Sequence, residues 1–313
     1  MSGFSTKNTW SRRHGRSGLG AFRDIRGALG HQIVNMCPDN IKEFIYSVFE
    51  NRSIRLTPSD LERMVCRSYP DFSRKAVRST IKAMVADGGL IYSNHFNTTH
   101  LELNYCRPVR LSPRIMLMPD GHGCTSTDAA TQVIRLQQGV AFGIGDHPTT
   151  RLALRAVDDI MSDMAAGGLT RGIRALDIGT GSGVLAIAAA KLGAANVVAV
   201  DIDPLALHEA RNNILLNDLH RAIIVTDEPL ESFAGTSFDL IMANLRPPTL
   251  KQILPQVEAL SSMNSHWIFS GFRQDAMEDA IRMLPEDKSK ILNREAACEW
   301  GAVTIRYYGL AQK

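Results

Sequence analysis

One segment, Arg174-Ala-Leu-Asp-Ile-Gly-Thr-Gly-Ser-Gly183, constrains the fold of this chain more than any other. An apolar strand runs into three alternating glycines and then straight into a smooth apolar stretch, 184–192, so the residues specify a strand, a tight turn and a helix. Glycines at such a turn let the backbone reverse sharply and approach a ligand with no Cβ in the way. The same rhythm continues on both sides. The residue pattern predicts helices over 152–164, 184–192, 204–216, 248–260 and 274–284, and strands over 173–178, 197–202, 222–225, 238–243 and 267–270. Closing strands follow. Alternation of this kind means a doubly wound, mostly parallel sheet covered on both faces, the α/β class.

The turn also narrows the ligand. A dinucleotide site wants G-x-G-x-x-G, but the place of its third glycine is Val184, and the glycines follow an acid, Asp177. This is the form of an S-adenosylmethionine site in a Rossmann-like class I methyltransferase. Gly179, Gly181 and Gly183 would pass beneath the amino-acid and ribose parts of the donor, with Asp177 reaching its ammonium group directly or through water. The next strand ends in Val200-Asp-Ile-Asp-Pro204, which places Asp201 to accept both ribose hydroxyls. Asp203 has the simpler role of capping the helix that Pro204 begins. Asp227, after the third strand, stands where such folds contact the adenine amino group, or is solvated like its neighbour Glu228.

Composition sets the outer bounds. The chain has 313 residues, 44% hydrophobic and 21% charged, which is globular and long enough for about two domains. Its net charge of +3 is too small to select nucleic acid, membrane or acidic partners by itself. The five cysteines are scattered, with no C-x-x-C and no disulfide framework, which fits reduced thiols in a cytoplasmic setting. Its histidines show no metal-ligand spacing, and no run approaches the length of a membrane span.

Residues 1–37 are rich in Arg, Ser and Gly and poor in acids, the composition of a disordered basic tail or of an organellar transit peptide. Residues 38–105 read as three short amphipathic helices and a β-hairpin, a winged-helix-like α+β domain with Ser73 to Ala86 as its recognition helix. That helix carries Arg74, Lys75, Arg78 and Lys82, which suits nucleic-acid phosphates or equally a solvated, protein-docking face. Residues 106–140 form a connecting β-segment, and 141–313 the methyltransferase domain.

Two further segments flank the α/β core: Ala141-Phe-Gly-Ile-Gly-Asp-His-Pro-Thr-Thr150 and Met242-Ala-Asn-Leu-Arg-Pro247, with Ser270-Gly271 and Glu299-Trp300 beyond them. In that order they resemble the signature of the PrmA family, methyltransferases that modify amino groups of a large-subunit ribosomal protein, over about residues 107 to 307. The resemblance implies that Phe142 and Thr149 line the donor pocket and that Asn244, beside the methyl donor, orients the incoming amine, with Thr149 sharing the catalytic site. Thr149 and Thr150 also read as caps of a helix starting near Arg151. His147 reads as structural or pocket-lining rather than as a general base, because the sulfonium leaving group is already activated.

Three departures bear on the acceptor. The winged-helix-like segment stands where the family has its recognition domain, Ile144 and Asp146 replace small residues, and Leu245-Arg246-Pro247-Pro248 follows Asn244. The leading expectation is an S-adenosylmethionine-dependent transferase acting on a lysine or N-terminal amine of a protein, ribosomal or otherwise linked to translation. The alternatives are a methyltransferase guided to RNA or DNA by the winged-helix-like domain, and a non-enzymatic nucleic-acid-binding regulator that senses the cofactor. Base methylases carry Asn/Asp-Pro-Pro-aromatic after the fourth strand, and Asn244-Leu-Arg does not match it.

Overall fold

The computed structural model describes residues 41–51, 56–95, 98–121, 130–137, 145, 147–168 and 172–309. The expectations placed on residues 1–37, Phe142, Ile144 and Asp146 fall outside them. Helices α1 (Ile41–Asn51), α2 (Pro58–Ser68) and α3 (Arg74–Ala86) precede an antiparallel hairpin, β1 (Leu90–His95) and β2 (Thr98–Leu103). Thr57 and Ser73 cap α2 and α3 by accepting the amide protons of Asp60 (3.1 Å) and Ala76 (3.2 Å), as their residue types favour. Phe44, Ile45, Leu61, Val65, Val77, Met84 and Leu101 fill the space between. On α3, Arg78 grips the buried Glu62 through two nitrogens (2.5 and 3.2 Å) and Arg74 lies 3.9 Å from the same carboxylate. Half of the basic set on that helix is therefore already engaged within the module.

Strands β3 (Val109–Arg110), β4 (Ile115–Pro119) and β5 (Gln132–Leu136) form a small mixed sheet in the connecting segment. The main sheet has seven strands: β6 (Arg174–Ile178), β7 (Asn196–Val200), β8 (Ile223–Thr226), β9 (Phe238–Asn244), β10 (Ser261–Arg273), β11 (Ser289–Ala297) and β12 (Trp300–Tyr307). Their order is β11-β12-β10-β9-β6-β7-β8, and β12 runs antiparallel to both its neighbours. Helices α4 (Pro148–Ala166), α5 (Val184–Lys191), α6 (Pro204–Leu216), α7 (Pro247–Ala259) and α8 (Met277–Arg282) complete the unit. Successive side chains of β9 serve opposite cores: Leu240 and Met242 pack with α4 and α5, whereas Ile241 and Ala243 pack with α7. That two-residue alternation is why the strands read as continuous apolar runs.

One expected boundary is corrected. Helix α4 begins at Pro148, not near Arg151, and its N-cap is His147, whose Nδ1 accepts the Thr149 amide proton at 3.3 Å. Thr149 and Thr150 are fully buried in the first turn and do not cap it. The cause is Pro148, whose fixed φ and missing N–H suit the first helical position.

The N-terminal module is fused to α4. A single apolar cluster runs from Phe44 through Leu111 and Ile115 to Leu154 and Val157. Polar clamps reinforce it. Arg114 pairs with the buried Asp158 (2.5 Å), Arg155 Nε donates to the Leu111 carbonyl (3.0 Å), and the Arg151 guanidinium lies 5.1 Å from the Tyr105 ring centre while donating to its hydroxyl. Burial lowers the Arg155 pKa and raises that of Tyr105. No helix among the described residues is long and apolar enough to cross a membrane.

Candidate active site

A cavity of about 830 Å³ opens at the carboxyl ends of β6, β7 and β9, within the usual range for small-molecule sites. This is where a doubly wound sheet binds ligands, because the strand order reverses there and the loops diverge. Gly179 and Gly181 floor it with positive φ (72° and 55°). A Cβ on Gly179 would lie 2.5 Å from Leu245 Cδ2, so a side chain there would close the space between the turn and the β9 tip.

The expected residues divide into two groups. Asp201, Asp227, Thr149 and Asn244 line the cavity with Gly179 and Gly181. Asp177 and Gly183 lie behind it. Asp177 is fully buried, and its Oδ2 accepts the Thr180 hydroxyl (2.6 Å) and the Ala186 amide (3.2 Å), which ties the turn to α5. Its Oδ1 has no partner, and burial, with a further push from Asp201, raises its pKa to about 7. Gly183 is the left-handed N-cap of α5.

Asp201 is held at the strand tip by two backbone amides, Gly181 N to Oδ2 (2.9 Å) and Asp203 N to Oδ1 (3.0 Å). Ionised carboxylates have about four acceptor positions, so two hydroxyls can still be received. Asp203 caps α6 by accepting the Leu205 amide (2.9 Å) while also reaching the cavity. Ile202 between them is 91% exposed, an apolar shelf beside the two carboxylates. With Asp227 and Glu228, the lining carries four acids against one guanidinium, Arg246, which suits a ligand bearing positive charge.

At the other end, side chains from α4, β10 and β12 and the N-cap His147 gather around the β9 tip. Asn244 Nδ2 donates to Thr150 Oγ1 (3.4 Å), and Asn244 Oδ1 is buried without a partner. Ser270 Oγ reaches the carbonyls of Thr149 (3.1 Å) and Gly301 (3.2 Å), tying α4 to β10 and β12. His147 Nδ1 is 2.7 Å from Thr149 Oγ1, and its ring meets Trp300 edge to face at 4.7 Å. Receiving the Thr149 amide proton commits Nδ1 to the cap of α4.

Sequence reasoning passed over Ile178, Val200, Ile202, Leu230 and Ile253, which supply the apolar lining. Ile202 had a usable signal, an apolar residue wedged between two acids after a strand.

The family model described as ribosomal protein L11 methyltransferase (PrmA) matches residues 97–307. The chain belongs to this family. It is similar to a protein named ribosomal protein L11 methyltransferase from Pelobacter propionicus, 42% identical over 165 residues, which is 53% of this chain and 52% of that one. One of the same name from Heliobacterium modesticaldum is 32% identical over 207 residues, 66% of this chain and 63% of that one. The chain thus spans between about half and two thirds of the length of these curated PrmA relatives. Among solved structures, a ribosomal protein L11 methylase from Lactobacillus delbrueckii subsp. bulgaricus superposes with a TM-score of 0.57 at 29% identity, covering 64% of this chain and 99% of that one.

Proposed function

We propose that this chain is an S-adenosylmethionine-dependent N-methyltransferase that modifies a lysine or N-terminal amine of a protein, with ribosomal protein L11 as the first acceptor to test. The observation that carries this reading is the place of Asn244, whose Oδ1 is buried without a partner, at the tip of β9 in the lining of a cavity shared with the glycine turn and the Asp201 carboxylate. Leaving such an atom unmade costs about 1–3 kcal/mol, a cost that a bound N–H removes.

The lining fits the donor. Gly179 and Gly181 allow close backbone approach, Asp201 can take the ribose hydroxyls, Ile202 offers a face to the adenine, and Asp227 stands by for its amino group. When bound, S-adenosylmethionine supplies an electrophilic methyl group on a sulfonium that departs as a neutral thioether. The chain's own contribution is positioning. Asn244 Oδ1 accepts one N–H of the neutral amine and so aims its lone pair, while Thr149 and Trp300 bound the space it enters. No base need be charged in advance, because the proton is lost from the product ammonium, and His147 has its Nδ1 committed to the helix cap.

The N-terminal module supports a protein acceptor better than a nucleic acid, because Arg74 and Arg78 turn toward Glu62 and leave Lys75 and Lys82 as the basic pair of α3 without an ion pair among the described residues. Two lysines are a thin phosphate footprint. The test is incubation of the purified chain with methyl-labelled S-adenosylmethionine and L11 from its own source, alongside total RNA. Label retained after nuclease and lost to protease is the expected result, and label lost to nuclease alone overturns it.

A further inference from the structure

Asn213 on α6 and Asn217 at its C-terminal cap, one turn apart and both buried, occupy the outer edge of β5 as a neighbouring strand would. Asn217 Oδ1 accepts the Arg135 amide (2.9 Å) and its Nδ2 donates to the Arg135 carbonyl (2.7 Å), while Asn213 Oδ1 accepts the Gln137 amide (2.9 Å). The two residues differ in their second reach. Asn213 Nδ2 donates to the carbonyl of Ser182 (2.9 Å), inside the glycine turn, whereas Asn217 Nδ2 returns to the Asn213 carbonyl (2.7 Å). The Ala186 amide, which a continuous helix would aim at the Ser182 carbonyl, donates instead to Asp177 Oδ2 (3.2 Å), and Asn213 supplies that carbonyl with a donor from α6. The turn rests on the same helix: a Cβ on Gly183 would lie 3.3 Å from Cα and Cβ of Ala210, one turn before Asn213.

We propose that Asn213 is a positioning residue for donor binding: one side-chain amide fixes the glycine turn, through Ser182, to strand β5 of the connecting segment, so that Gly179 and Gly181 meet the donor in a preset shape. This rests on the reading of the cavity as the S-adenosylmethionine site. Asn213 does not line the cavity and touches no ligand there. Its loss favours return of the Ala186 amide to the Ser182 carbonyl and loosens the turn before the donor arrives, so the donor must order what was already ordered. That cost falls on donor affinity and not on turnover once the donor is bound.

The experiment uses the full chain and three variants. Asn213→Asp keeps an acceptor for Gln137 and loses the donor to Ser182, Asn213→Leu has a similar branched shape and neither arm, and Asn217→Leu breaks the grip on Arg135 while sparing the bond to Ser182. Binding of S-adenosylhomocysteine is measured by calorimetry at a temperature where thermal melting shows each chain folded, and the ¹⁵N amide signals of Gly179, Gly181 and Gly183 are followed on the same preparations. The Kd is expected to rise about tenfold in both Asn213 variants, corresponding to about 1.4 kcal/mol, and to stay within about twofold of wild type in Asn217→Leu. The glycine signals shift in the Asn213 variants alone, and methyl transfer at saturating donor keeps its kcat within about threefold while the donor KM rises. If the buried carboxylate of Asn213→Asp unfolds the chain, Asn213→Leu carries the comparison. Wild-type donor affinity in the Asn213 variants overturns the proposal, as does an equal loss in Asn217→Leu, which would make the hold on β5 responsible and not the hold on the turn. If the wild-type chain binds no S-adenosylhomocysteine, the donor reading fails, and the glycine signals alone decide whether Asn213 holds the turn: their shift in Asn213→Asp supports it and their constancy overturns it.

Discussion

Gly271 lies so close under Leu245 that a Cβ would sit 2.6 Å from the backbone N and O of that residue. The same glycine has φ of +94°, a conformation that side-chain-bearing residues rarely adopt. The contact fixes how the chain leaves β9, and the Leu245 amide closes it by donating to the Ser270 carbonyl at 2.9 Å. Gly271→Ala is expected to lower stability by about 2 kcal/mol or more, since strain and overlap add. Because Leu245 borders both the glycine turn and Asn244, donor affinity falls as well. Thermal melting and a titration with S-adenosylhomocysteine check both effects; a variant as stable and as tight-binding as wild type would show that the β9 exit is not held from below.

His147 provides a cleaner separation of structure from chemistry. His147→Ala removes the N-cap of α4 and should cost about 1 kcal/mol, while His147→Asn, with a cap oxygen, should recover most of it. Methyl transfer by His147→Asn at a temperature where it is folded is expected to stay within about threefold of wild type. A much larger loss there would return the imidazole to the chemical step.

Asp177 makes the stability of the ligand-free chain depend on pH. Its folded pKa is raised from 3.8 to about 7, so between those values the native state holds a proton that the unfolded state has released. Stability therefore falls as pH rises through this window, by up to about 1.4 kcal/mol per unit, and levels off above it. Asp177→Asn, which retains an oxygen for the Thr180 and Ala186 donors, should flatten this contribution. Urea unfolding at pH 5, 6, 7 and 8 decides the matter, and identical pH dependence in the two chains would remove Asp177 as its source.

Asp201→Asn keeps an oxygen for the Gly181 amide but gives up the charge offered to a diol. Charged hydrogen bonds contribute about 1.5–3 kcal/mol, so the dissociation constant for S-adenosylhomocysteine should rise about tenfold or more, measured by calorimetry. Turnover at saturating donor should change far less, and a loss confined to turnover would place the ribose elsewhere.

The α/β rhythm was legible because each strand and helix carries its own pattern. α6 spans Pro204–Leu216 as its proline start implies, and the glycine turn lies between β6 and α5. What escaped was set by long-range contacts. The start of α4 depends on a histidine serving as a cap, a role given more often to serine or aspartate. Strand β10 extends to Ser261–Arg273, well beyond its apolar centre, because pairing with β12 supplies hydrogen bonds that no local propensity announces. Asp177 sits next to glycines that line the cavity, but strand alternation turns it inward, beneath the turn that its neighbours expose. Thr150 is indistinguishable from Thr149 in sequence, and only the packing of α4 on β9 gives one the cavity and the other the amide.

The shared core between the N-terminal module and α4 has a mechanical consequence. A recognition unit on a tether lets an enzyme search for several amines around one docked partner. Here Tyr105 of the module, with Leu111 and Arg114 of the connecting segment, bolts the N-terminal part to the helix whose first turn borders the cavity. For the proposed methyl transfer, an acceptor docked on the module would meet a jig of set span, offering the cavity whatever nitrogen lies at that reach and a second nitrogen only after letting go and seating again.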